Sequence, residues 1–159
     1  MRSPISRILV GAVAATLSLS IPKASAGAYD AGFRVGYFFD ADAVSVGMEM
    51  LTPLSVNPSG WYLNPNLEVA MGDARDIAAF NFDFHYDFET ASNLAVWAGA
   101  GPTIYLIDRD QFADDFEADP GINLLLGFGA KTGSVRPFVQ GKGVVMDNAE
   151  AAISVGVRF

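Results

Sequence analysis

Cysteine is absent from this 159-residue chain, histidine occurs once, and basic residues are few. The missing cysteine excludes a disulfide framework and leaves no attachment point for a lipoprotein's lipid. Three of the ten bases and none of the eighteen acids fall in the first 26 residues, so the remainder carries seven bases and a formal net charge of −11. A surface so acidic makes nucleic acid an improbable partner. Long apolar runs are also missing once the amino terminus is set aside, which excludes a membrane-spanning helix of ~20 residues. Yet 51% of the residues are hydrophobic, too many for a disordered chain.

The amino terminus accounts for the one apolar run. Arg2 and Arg7 precede a largely apolar stretch from Ile8 to Ile21, and Ala24-Ser25-Ala26 supplies a small-x-small cleavage site. This is the pattern of a secretory signal peptide over residues 1–26, with one domain expected over 27–159. A chain that is exported and oily, yet has no spanning helix, fits a membrane β-barrel.

What recurs in that domain is an alternating segment followed by a turn. Eight such segments are expected: 32–39, 43–51, 61–72, 78–88, 93–107, 121–131, 135–146 and 149–159. The fourth is the clearest, with Ala78, Phe80, Phe82, Phe84, Tyr86 and Phe88 on one parity and Asn81, Asp83, His85 and Asp87 on the other. Only a strand sorts residues with a period of two. The last segment alternates as strictly and ends on Val155, Val157 and Phe159. Pro65 and Pro137 are expected near strand starts, and Pro102 at a bulge or rim, because proline cannot donate to a ladder. The stretch from Asp108 to Pro120 does not alternate and reads as a loop.

Alternation alone does not say which face points inward. A soluble, lipocalin-like binding barrel would put the apolar set inside, and a membrane barrel inverts it. Volume favours inversion, since the apolar parity holds Phe33, Phe39, Phe80, Phe82, Phe84, Phe88, Phe128 and Phe159, too much bulk for a small lumen. The other parity is rich in glycine and alanine and holds Arg34, Glu49, Glu68, Asp83, His85, Asp87, Lys131, Arg136, Lys142, Glu150 and Arg158. Buried charges need partners, so an internal ion-pair network is expected rather than an open pore. Trp61, Tyr62, Phe88 and Phe159 at one set of strand ends, with Tyr37, Phe39 and Tyr105 at the other, suit interfacial girdles.

The signal sequence, eight alternating segments and terminal Phe159 together resemble the small outer-membrane barrels of the OmpA and OmpX kind. That resemblance implies an all-β, eight-stranded, antiparallel up-and-down transmembrane barrel in a bacterial outer membrane, facing membrane lipid and lipopolysaccharide. It further implies Val155, Val157 and Phe159 as an assembly signal read by the barrel-assembly machinery, with both termini periplasmic. The connections 40–42, 73–76 and 108–119, with Asp147, are then external and carry eleven acids against Arg75 and Arg109. No periplasmic peptidoglycan-binding domain like that of full OmpA is expected from these residues, so a cell-wall tether is not implied.

Chemistry-bearing constellations are sparse. Asp108, Asp110 and Asp119 have part of a calcium-loop spacing, but Phe112 occupies a ligand position and Ala113 stands where glycine is required. Divalent cations bridging the acidic loops to lipopolysaccharide phosphates are the looser alternative. His85 between Asp83 and Asp87 is the one candidate base for a lipid ester hydrolase, but no nucleophile motif accompanies it. The Gly-x-Gly stretches at 99–101, 127–129 and 141–143 precede no helix, so no nucleotide loop and no cofactor is expected. The expected role is structural or surface-interacting. A narrow channel, a lipid A-modifying enzyme and a soluble binding barrel are the alternatives.

Overall fold

The computed structural model describes residues 29–54, 60–72, 75–108, 117–147 and 149–159. The expected signal segment 1–26 and most of the acidic loop, Asp110 included, lie outside the described residues. Eight strands follow one another: β1 Asp30–Phe38, β2 Ala43–Pro53, β3 Trp61–Gly72, β4 Asp76–Phe88, β5 Leu94–Asp108, β6 Glu117–Ala130, β7 Arg136–Val145 and β8 Glu150–Arg158. Each pairs antiparallel with its chain neighbour, and β1 closes on β8 with Val35 opposite Val155. Among the described residues there is no helix.

Closure removes every sheet edge, which in hydrocarbon is the only way for strands to satisfy their backbone groups. The seam is reinforced at the carboxyl terminus. The Phe159 amide donates to the Ala31 carbonyl at 2.9 Å, and its ring meets that of Phe33 edge-on at 6.4 Å.

The faces are inverted relative to a soluble barrel. Phe80, Phe82 and Phe84 on β4 are exposed, whereas Asn81, Asp83 and His85 between them are buried. The same sorting holds on β6, where Ile122, Leu124, Leu126 and Phe128 face out. Inside, the lumen is filled in three tiers. At the end opposite the barrel's chain termini, Phe38, Ile77, Tyr105, Ile107 and Val144 form an apolar plug. At the terminus end Trp97, Leu125 and Phe138 form a second one. Charged and amide side chains lie between. Glycine makes room for the large rings: a Cβ on Gly127, opposite Trp97, would lie 2.4 Å from the indole.

Several expectations are corrected. β6 begins at Glu117, inside the stretch read as a loop, because Glu117, Ala118 and Asp119 pair with Ile107, Leu106 and Tyr105 although they carry no apolar alternation. Pro65 lies within β3 rather than at its start, and the ladder to β2 lapses beside it, between Glu49↔Asn66 and Thr52↔Leu63. Pro102 marks no bulge. The β4–β5 ladder lapses only at Phe82 and Asp83, and the offset is the same on both sides, so no residue is inserted. Tyr105 is fully buried inside the barrel, and Tyr62 packs inward against His85, so neither belongs to a girdle. Lys131 is exposed in the β6–β7 turn rather than inside.

Candidate functional site

The middle tier is a chain of charges drawn from five strands. Arg34 on β1 contacts Glu49 on β2 at 3.4 Å through Nη1 and Glu68 on β3 at 2.8 Å through Nε. Glu49 is also held by Arg158 of β8 at 2.5 Å, and Glu68 by the Lys142 ammonium of β7. The order Arg158, Glu49, Arg34, Glu68, Lys142 therefore alternates in sign. Each carboxylate has two bases, and both share Arg34. All five side chains are nearly inaccessible.

Asp83 is the third buried carboxyl group of this tier and is held by amides instead. It accepts from Asn66 Nδ2 and from Asn123 Nδ2, each at 2.8 Å. Asn81 donates to Asn66 Oδ1 at 2.7 Å and accepts from Thr103 and Asn123 at 2.6 and 2.8 Å. An amide ladder thus crosses β3, β4, β5 and β6. Buried polar groups that satisfy one another in this way fix a register, because displacing one strand would strand several partners at once.

The two flanking cations meet the aromatic plugs. The Arg158 guanidinium lies 4.5 Å from the ring centroids of both Trp97 and Phe138, while the Lys142 ammonium lies 5.1 Å from Phe38 and 5.7 Å from Tyr105. Trp97 Nε1 donates to Gln140 Oε1 at 3.0 Å. Rings and cations therefore interlock at both ends of the network.

His85 is fully buried, its ring between Tyr62 at 5.4 Å and Trp97 at 5.8 Å, with Asp87 3.2 Å from Nε2. It faces the lumen and not a lipid-facing crevice. Asp87 is only half-buried, at the rim, and Glu150 stands apart from the central chain. Its carboxylate is held by Arg75 at 2.8 Å and by the Asp40 amide at 2.9 Å. Arg136 also sits at a rim, paired with Asp30 at 2.6 Å. Asp108 stands opposite Asp76, and Asp119 opposite Tyr105, so these two candidate metal ligands are not cross-strand partners. Among the described residues no group of three metal-type side chains is brought together.

Sequence reasoning did not assign Asn64, Asn66, Asn81, Asn123, Thr103 and Gln140 to the network. The available signal was their parity, shared with charged residues on every one of these strands but β5, where Thr103 has no charged companion.

Fold and site together define a class: a small, closed, eight-stranded barrel with apolar side chains outside and balanced charges inside. No family model matches the chain, and no curated protein matches it in sequence. Among solved structures it is similar to Neisserial surface protein A, with a TM-score of 0.67 at 14% identity over 82% of this chain and 94% of that one. It is also similar to a de novo designed transmembrane β-barrel, with a TM-score of 0.53 at 13% identity over 84% and 96% of the two chains. At these identities the likeness is one of fold.

Proposed function

We propose that the chain is a bacterial outer-membrane barrel with a structural or surface-interaction role and no solute pathway. The observation that carries this reading is the inversion of faces: rows of exposed Phe, Leu and Val outside, and a charge chain with no unpaired central member inside. Water would strip such an exterior into aggregates, whereas hydrocarbon solvates it. The similarity in fold to a surface protein and to designed transmembrane barrels supports the same reading. The external end carries most of the acids, so partners at the cell surface would be cationic or bridged by divalent ions.

Fractionation followed by electrophoresis of boiled and unboiled samples tests membrane residence. The reading expects an outer-membrane protein whose mobility changes on boiling. A soluble periplasmic protein would overturn it. In planar bilayers the refolded barrel is expected to show no discrete conductance steps, and steady unitary currents would instead favour a channel. Deleting Phe159 is expected to lower outer-membrane levels several-fold while leaving export intact, since the deletion removes its seam contact with β1 and the end of the expected assembly signal.

A further inference from the structure

The outward row of β7 reads Pro137, Val139, Gly141, Gly143 and Val145. Two glycines in the middle of a lipid-facing strand are out of place, and the protein's own packing does not require them. A Cβ on Gly127 or Gly156 would collide with an interior ring, but one on Gly143 would meet nothing within 4 Å, and one on Gly141 only a carbonyl at 3.9 Å. The result is a groove of about 520 Å³ whose walls are Leu124, Leu126, Val139 and Ile153. Those walls have not folded over the gap. Leu126 and Val145 are the two most exposed large hydrophobic side chains among the described residues, at 63% and 62%. The groove adjoins a second apolar depression, sharing Phe128 and Val139 with it, which continues past Pro137 toward the terminus end.

We infer that the β7 groove seats a single acyl chain of a membrane phospholipid whose phosphate lies at the β6–β7 turn, beside exposed Lys131. This rests on the membrane residence proposed above.

Shape and charge select that occupant. From Arg136 to Gly143 is roughly 23 Å at ~3.3 Å per residue. Tilted by about 40°, this spans roughly 18 Å of depth, close to half of a ~30 Å hydrocarbon core and so one leaflet. The groove is one side chain wide, because β6 and β8 flank it only about 10 Å apart. A second copy fits worse: with strands tilted 35–45°, facing strands of two upright barrels cross at roughly 70–90°, so a ridge on one touches a groove on the other at a single point. A flexible chain follows the tilt. Charge then sets its direction. The turn at the lower end of β7 carries exposed Lys131, beside an Arg136 already paired with Asp30, whereas the upper end is flanked by exposed Asp147, which repels phosphate.

The test uses the full barrel refolded into phosphatidylethanolamine and phosphatidylglycerol vesicles containing a trace of phosphatidylglycerol with a diazirine in its acyl chain. Photolabel is expected to concentrate several-fold on the peptide bearing 136–146 over the β2 peptide 43–53. Gly141→Leu with Gly143→Leu is expected to bring it to the β2 level, and Lys131→Glu to reduce it several-fold. Should the double glycine variant lose the boiling-dependent mobility shift, Gly143→Ile and Lys131→Glu carry the test. Uniform labelling of all strands in a barrel that has inserted would overturn the groove and leave the membrane reading intact. Label on 136–146 below the β2 level, in a barrel that sediments as a dimer, would overturn it in favour of self-association. Failure to insert at all would sink both.

Discussion

Phe82 and Asp83 are joined by one peptide bond and face opposite sides of the barrel wall. The Phe82 ring stands on the exterior, 55% exposed, while Asp83 is sealed inside between two asparagine amides. The contrast runs through the whole wall, and its two faces are held by different physics. On the membrane reading, most outer side chains are interchangeable as long as they are apolar, because hydrocarbon makes no directional demands. Inside, each charge of the central chain has a named partner, and removing one leaves another behind. The interior should therefore be brittle where the exterior is tolerant.

The sharpest break is Arg34→Ala, which leaves Glu49 and Glu68 each with one base in place of two. Loss of one partner from a buried ion pair costs about 3–5 kcal/mol. Denaturant unfolding of the refolded barrel in lipid should show a loss in this range, and a loss below that expected of a surface position would contradict the shared role of Arg34. Next comes the exterior at mid-height. Phe82→Arg should cost about 2–4 kcal/mol, and Phe82→Leu far less, because only charge and not shape matters there. Equal costs for the two would mean that the outer face packs against protein. Smaller still is Trp61→Arg at the rim, expected at about 0–1 kcal/mol because the interface solvates it. Asp147→Asn, in an exposed turn, should stay within about 0.5 kcal/mol by the same unfolding measurement.

The same contrast explains how much could be read from sequence. β4 announced itself because its two faces differ in kind, with aromatic residues against amides and carboxylates. β7 did not, since Phe138 faces inward against Arg158 while Gly141 and Gly143 face outward, so its polarity is blurred on both sides. The lumen holds more aromatic bulk than parity alone allowed. Trp97 and Tyr105 were on the interior parity, but only the structure shows how Gly127 makes room for an indole and how the bases lie over its neighbours. The start of β6 was hidden for a different reason. Glu117 to Pro120 extends the β5–β6 hairpin past the point where β7 ends, and on the membrane reading a strand outside the apolar band needs no apolar row. The central charges were legible one by one. Their pairing was not, because contacts such as Arg34 to Glu68 and Lys142 to Glu68 depend on the closure of β1 on β8.

The two tryptophans provide the most direct test of the central claim, since Trp61 is 49% exposed on the outer face and Trp97 is 1% exposed inside. Single-tryptophan forms, made by Trp61→Phe or Trp97→Phe, can be refolded into vesicles whose lipids carry bromine near the headgroup end of the acyl chain. Strong quenching of Trp61 with little effect on Trp97 is the predicted result. Quenching of Trp97 with Trp61 untouched would mean that the faces are reversed, and that the apolar rows surround a ligand and not a barrel's own charges.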